Sequence, residues 1–248
     1  MVSRISQELK LKYRPVALIF SDEKPEGAIQ FAEGESGCVI GLFAAASKGE
    51  TAVFSDATCG CPGGRVGLGF TDSYDHVPGG IDYFLSTGRG EGYPAGEAYV
   101  KTPELAREFV EQLPLHCIPT QYVVVKPLDQ VDTDKEKPEL VVFFCAPDQL
   151  AALVVLANYG RPGTDNAIIP FGAGCHSVCL IPYAHNQDKK PKAVVGVIDI
   201  SARPQVDPNV LSFTVPYEMF LEMEADVPGS FLEKPDWKKV RDRIPDPE

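Results

Sequence analysis

Apolar residues in this chain gather in short unbroken runs, each closed by polar residues, glycine or proline, and these runs predict the elements. Residues 15–20 (Pro-Val-Ala-Leu-Ile-Phe) stop at Ser21-Asp22-Glu23, as expected for a buried strand. Residues 38–46 are dense in Ala, Leu and Ile and close at Lys48-Gly49, the pattern of a short buried helix with a glycine stop. Residues 51–54 form a second strand that runs straight into Thr58-Cys59-Gly60-Cys61-Pro62-Gly63-Gly64. Further strands are expected at 122–125, 140–144, 193–200 and 211–215, with a lead-in at 167–169 to Gly174-Cys175-His176-Ser177-Val178-Cys179.

Helix starts are marked by proline. Thr102-Pro103-Glu104 combines a capping hydroxyl, a first-turn proline and an acid near the positive helix end. Leu105, Ala106, Phe109, Val110 and Leu113 follow at helical spacing and predict its buried stripe. Pro147-Asp148 opens a helix whose residues 150–157 are apolar nearly all round, which predicts a place between layers. Pro216 opens another helix, and Trp237, Val240 and Ile244 share one face of a last short one. The expectation is one α/β domain, or a mixed α+β arrangement. It carries a weak internal symmetry: residues 1–128 and 140–248 each read strand, helix, strand, cysteine loop, joined by the charged stretch 129–139.

The chain has 248 residues, enough to bury a full core, and a formal charge of -12. That acidity argues against nucleic acid or an anionic membrane as partner, since both need a basic footprint. No apolar run approaches bilayer-spanning length, and the first residues lack the apolar centre of a signal peptide, so the expected location is the cytoplasm. Thiols stay reduced there, and clustered cysteines point to metal or redox chemistry rather than structural disulfides.

Five of the seven cysteines, Cys38, Cys59, Cys61, Cys175 and Cys179, lie in segments marked by glycine. Cys61-Pro62 has the cysteine–proline form of ferredoxin-type runs, and the amides of Gly63 and Gly64 are candidates to face cluster sulfides or a bound anion. The one-residue gap between Cys59 and Cys61 differs from the two-residue gap of common ferredoxins and zinc ribbons. Cys38, Cys59, Cys61 and Cys175 are the expected ligands of an iron–sulfur centre, most readily 4Fe–4S, with zinc as the alternative. Cys179 competes with Cys175 for the fourth position. Cys117 and Cys145, flanked by apolar or strand residues, read as structural. His176 stands out among the four histidines only as the neighbour of Cys175. The glycine series 88–92 lacks the Gly-Lys-Ser/Thr of a phosphate loop, and no catalytic triad or carboxylate pair can be named.

Pro15-Val16-Ala17, Cys38, Cys61-Pro-Gly-Gly64, Thr102-Pro-Glu-Leu-Ala106 and the 174–179 stretch together resemble the domain-of-unknown-function family 169 of bacteria and archaea, over most of the chain. The resemblance implies a soluble prokaryotic α/β protein, often from anaerobes. It stresses Cys38, Cys61 and Cys175–Cys179, Cys59 less, and supplies no catalytic residues. Three functions follow as expectations. One is a redox or electron-transfer protein with a redox partner. The second is a protein that binds a small-molecule ligand under the 79–96 loop around a structural metal. The third is a thiol enzyme with Cys61 as nucleophile and Arg65 beside it.

Overall fold

The computed structural model describes residues 3–89, 95–186 and 188–247. In chain order the main elements are α1 (Arg4–Glu8), β1 (Val16–Ser21), α2 (Val39–Ala46), β2 (Ala52–Phe54), α3 (Pro62–Gly67), α4 (Ile81–Phe84), α5 (Pro103–Glu111) and β3 (Tyr122–Pro127). The second part adds β4 (Leu140–Cys145), α6 (Pro147–Tyr159), β5 (Ala167–Ile168), α7 (Gly174–Val178), α8 (Leu180–Asn186), β6 (Ala193–Gly196), β7 (Leu211–Pro216), α9 (Tyr217–Asp226) and α10 (Pro235–Arg241).

The strands form one seven-stranded sheet in the order β2-β3-β1-β4-β7-β6-β5. All neighbours are antiparallel except β5 and β6. The unbroken apolar runs of β1 and β4 lie at the centre, where both faces are covered, and every residue of β4 is buried. Because side chains alternate, each central strand feeds two cores. Ala17, Val141, Phe143, Phe213 and Val215 pack under α6 and α9, whereas Val16, Leu18, Val142 and Phe144 pack under α2 and α7. The architecture is α/β, a single mixed sheet between two helical layers. β1 joins the two sequence halves by pairing with both β3 and β4. The helices that follow the first strand of each half, α2 and α6, lie on opposite faces.

Three expectations are corrected. The strand expected over 193–200 ends at Gly196, because Val197 takes φ 56°, outside the extended region. Its amide donates instead to the Ser177 hydroxyl at 3.1 Å. The helix α6 is not sandwiched: Ala152, Leu153, Leu156 and Ala157 are buried, but Val155 is 48% and Tyr159 50% exposed. In α5, Leu105 is 46% exposed and Ala106 fully buried, while Phe109 and Leu113 face a cavity. That helix roofs a hollow instead of closing on a filled core.

Candidate functional site

The Cys-Pro-Gly-Gly run is a helix start in which sulfur replaces the usual capping oxygen. Cys61 is extended (φ -154°, ψ 158°), Pro62 opens α3, and the Gly64 amide donates to the Cys61 sulfur at 3.1 Å. Thr102-Pro103 starts α5 the same way, with the Leu105 amide donating to the Thr102 hydroxyl at 3.3 Å. The comparison isolates what Cys61 adds: a soft ligand atom at a position any Ser or Thr could cap.

Cys38 occupies the N-cap of α2, and Cys175 is the second residue of α7. Two glycines bring these segments together. Gly60 has φ 83°, and a side chain there would run into the Gly37 carbonyl and the Phe31 ring, each 2.6 Å from the added carbon. The Gly37 amide donates to the Gly60 carbonyl at 2.8 Å, which sets Cys38 beside Cys61. Gly67 lets α3 close on α7, since an added carbon would stand 2.5 Å from the Cys175 sulfur. The Cys175 thiol donates to the Gly63 carbonyl at 3.2 Å.

Cys38, Cys61 and Cys175 thus line the floor of one cavity of about 370 Å³, with Gly63 also on its wall. Burial raises all three thiols above their ordinary value of 9.0. Cys38 is pushed up to about 11, with the amides of Ile40 and Gly41 pulling the other way. Cys61 is raised too, against the amides of Gly64, Gly63 and Val39. Cys175 is raised furthest, by burial and then by the charges of Cys61, Asp199 and Cys38. Without a metal these are thiols at neutral pH, surrounded by amides placed to favour a thiolate once a cation replaces the proton.

The other cysteines have different surroundings. Cys59 is only 4% exposed and does not line the cavity; its sulfur contacts the carbonyls of Asp56 at 3.7 Å and Cys61 at 3.6 Å. Cys179 is fully buried against the Leu68 carbonyl, and Cys145 lies in the opposite core. Cys117, expected to be structural, is exposed at the rim of a surface hollow. Arg65 is held away by a two-pronged pair with Asp56, at 2.6 and 2.8 Å, so it closes the loop on α3. His176 is fully buried, its pKa lowered to about 4, and its ring stacks on Tyr74 with 6.2 Å between centroids.

Among the described residues, no group of three or more His, Cys, Asp or Glu side chains closes around an ion-sized point. A zinc ion would require the three sulfurs to draw together at roughly 2.3 Å from one centre. A cluster distributes its thiolates over several irons and takes them from farther apart.

Sequence reasoning missed the cavity's polar side. Asp199 is 4% exposed; burial raises its pKa, while the Ser201 hydroxyl, which donates at 3.1 Å, and the amides of Gly174 and Ala202 favour its charged form. Glu97 and Tyr99 complete this edge, and the Ser201 amide donates to the Tyr99 oxygen at 2.8 Å. Tyr74, Ile81, Phe84 and Phe171 supply apolar wall. Residues 79–89 and 95–96 of the expected covering loop are described, and Ile81, Phe84 and Leu85 line the cavity; residues 90–94 lie outside the described residues. Nothing in the sequence marks Asp199, which the apolar run 193–200 disguises as strand interior.

The model of the family DUF169, described as Uncharacterised ArCR, matches residues 4–226. No curated protein and no solved structure matches the chain. Among the described residues, no helix is long and apolar enough to cross a membrane.

Proposed function

The chain belongs to the domain-of-unknown-function family 169, and we propose that Cys38, Cys61 and Cys175 hold an iron–sulfur cluster at the floor of the cavity, in a protein of redox or electron-transfer function working in the cytoplasm. The observation that carries this reading is the meeting of three cysteines from three separate helix starts beside one cavity. The fit is good in three respects. The residues around the sulfurs are small where space is short, as at Gly67 and Gly60. Backbone amides face Cys38 and Cys61, as sulfur ligands of such clusters need for tuning. The cavity walls are largely apolar, so solvent is limited.

When bound, the cluster would supply one-electron chemistry or an iron with a coordination position not taken by cysteine. The chain's own residues have distinct tasks. Cys38, Cys61 and Cys175 release their protons and bind. Gly64 orients the Cys61 sulfur through its amide, and Cys59 holds the turn from behind. Asp199 puts an acceptor beside the thiols. A thiol nucleophile is less well supported, because burial raises Cys61 and Arg65 is committed to Asp56.

Anaerobic reconstitution with iron and sulfide tests the proposal. The expected product is brown, with iron and sulfide in near-equal amounts bound to the folded chain. Protein that stays colourless and iron-free after reconstitution would overturn it, and tight binding of one zinc instead would favour the structural-metal alternative.

A further inference from the structure

The cavity has a floor of sulfur, aromatic walls and one polar edge, and that edge carries charge of a single sign. Asp199 and Glu97 both line it, and among the described residues no Lys, Arg or His does. The Ser201 hydroxyl donates to Asp199 at 3.1 Å, and the same side chain favours the charged form of Glu97. Asp199 is 4% exposed; burial raises its pKa, against the Ser201 hydroxyl and the amides of Gly174 and Ala202, and its Oδ1 is covered beside the first turn of α7. Holding two acids in a largely apolar cavity costs free energy, and a cation that enters the cavity lowers that cost. The apolar lining includes the aromatic residues Tyr74, Phe84 and Phe171, and Tyr99 adds its ring next to the polar edge. Tyr99 and Phe171 meet edge to face at 5.9 Å between centroids, which fixes two of these rings.

We propose that this cavity binds a small organic cation with a planar apolar body, such as an aromatic or heteroaromatic ring bearing an amidinium, ammonium or protonated ring nitrogen, its charged end turned to the side that carries Asp199 and Glu97. The cavity of about 370 Å³, less the space that a cluster at its floor would take, suits a ligand of one ring. Aromatic faces add attraction for a cation, and an anionic ligand would meet two carboxylates with no basic side chain in the lining. Burial and the charge of Asp199 raise Glu97, as expected where two acids wait for a cation. The inference names the ligand of the cavity above the proposed cluster and rests on that reading only for the nature of the floor.

The test uses benzamidinium, benzoate and benzyl alcohol as probes, titrated into the full-length protein by calorimetry, with iron and sulfide measured on the same samples. Benzamidinium is expected to bind at least about tenfold more tightly than benzoate, the ratio one charge-assisted hydrogen bond provides. Asp199→Asn should weaken benzamidinium about tenfold while leaving benzyl alcohol within about twofold. Glu97→Gln should act in the same direction and more weakly, and it serves as the second variant should Asp199→Asn fail to fold. Equal or tighter binding of benzoate, or unchanged benzamidinium affinity in both variants, would overturn the inference. Cation binding in protein that takes up no iron would leave it standing and sink the cluster; a cluster with no preference for the cation would do the reverse.

Discussion

The two faces of the sheet are built from the same strands yet solve different problems. Under α6 and α9, Phe143, Phe213, Phe220, Leu153 and Leu156 fill the space, and the one cysteine there, Cys145, contributes only volume. Under α2, α3 and α7, the helices start where the core stops, and their first residues are cysteines and glycines around a cavity. The same residue type is packed into the core on one face and lines a cavity on the other. What separates them is backbone position: Cys145 ends a strand deep in the sheet, whereas Cys38 and Cys61 sit at N-caps, where amides converge beside the cavity.

The strongest way to break this comparison is to exchange sulfur for oxygen on each face. Cys61→Ser, and separately Cys175→Ser, should lose nearly all bound iron on reconstitution, while Cys145→Ser keeps it; iron analysis of the folded variants decides. Equal losses in all three would erase the distinction between the faces.

A pH titration sharpens it next. In the metal-free protein Cys38 and Cys59 are raised to about 11 and Cys145 to about 12, from an ordinary 9.0. The folded state therefore holds protons that the unfolded chain releases, so their contribution is intact below pH 9 and is lost as pH rises towards 11 and 12. Metal loading should run oppositely and improve with pH, because each ligand must shed its proton. Urea melts of the metal-free protein across this range should show falling midpoints. A flat profile would mean that the thiols are not held protonated by burial.

Substitution of Gly67 probes the close approach that brings α3 to Cys175. Gly67→Ala places a carbon 2.5 Å from that sulfur and 2.9 Å from the His176 amide, so backbone must move. The expected cost is about 1–3 kcal/mol by denaturant unfolding, together with weakened metal uptake. The smallest effect belongs to Cys145→Ser, which buries a hydroxyl near only the Leu211 carbonyl and should cost about 1–2 kcal/mol with no change in metal content.

Local chemistry was legible in the sequence where neighbours along the chain decide it. The strands at 16–21, 122–127, 140–145 and 211–216 follow from their apolar runs, and the starts of α5, α6 and α9 from proline, whereas α3 lies in a segment that reads as a cysteine loop. Cys38, Cys59, Cys61 and Cys175 were marked by neighbouring glycines, and of these Cys38, Cys61 and Cys175 line the cavity. Cys59 was different: whether a sulfur in a two-cysteine turn faces the cavity depends on the left-handed Gly60, and no spacing rule encodes that direction. Asp199 and Glu97 were illegible because about a hundred residues separate them and a single backbone reversal at Val197 takes Asp199 out of the strand. The stripe of α5 was readable as apolar, but nothing local told a cavity from a core.

The central claim is that Cys38, Cys61 and Cys175 act as one site apart from the remaining cysteines. Thiol labelling with mass-spectrometric readout, before and after anaerobic reconstitution, tests it most directly. The account predicts that these three become protected together on reconstitution, that exposed Cys117 is labelled in both states, and that Cys59, Cys145 and Cys179 label slowly in both. Protection of Cys59 in step with Cys61, while Cys175 stays reactive, would contradict it.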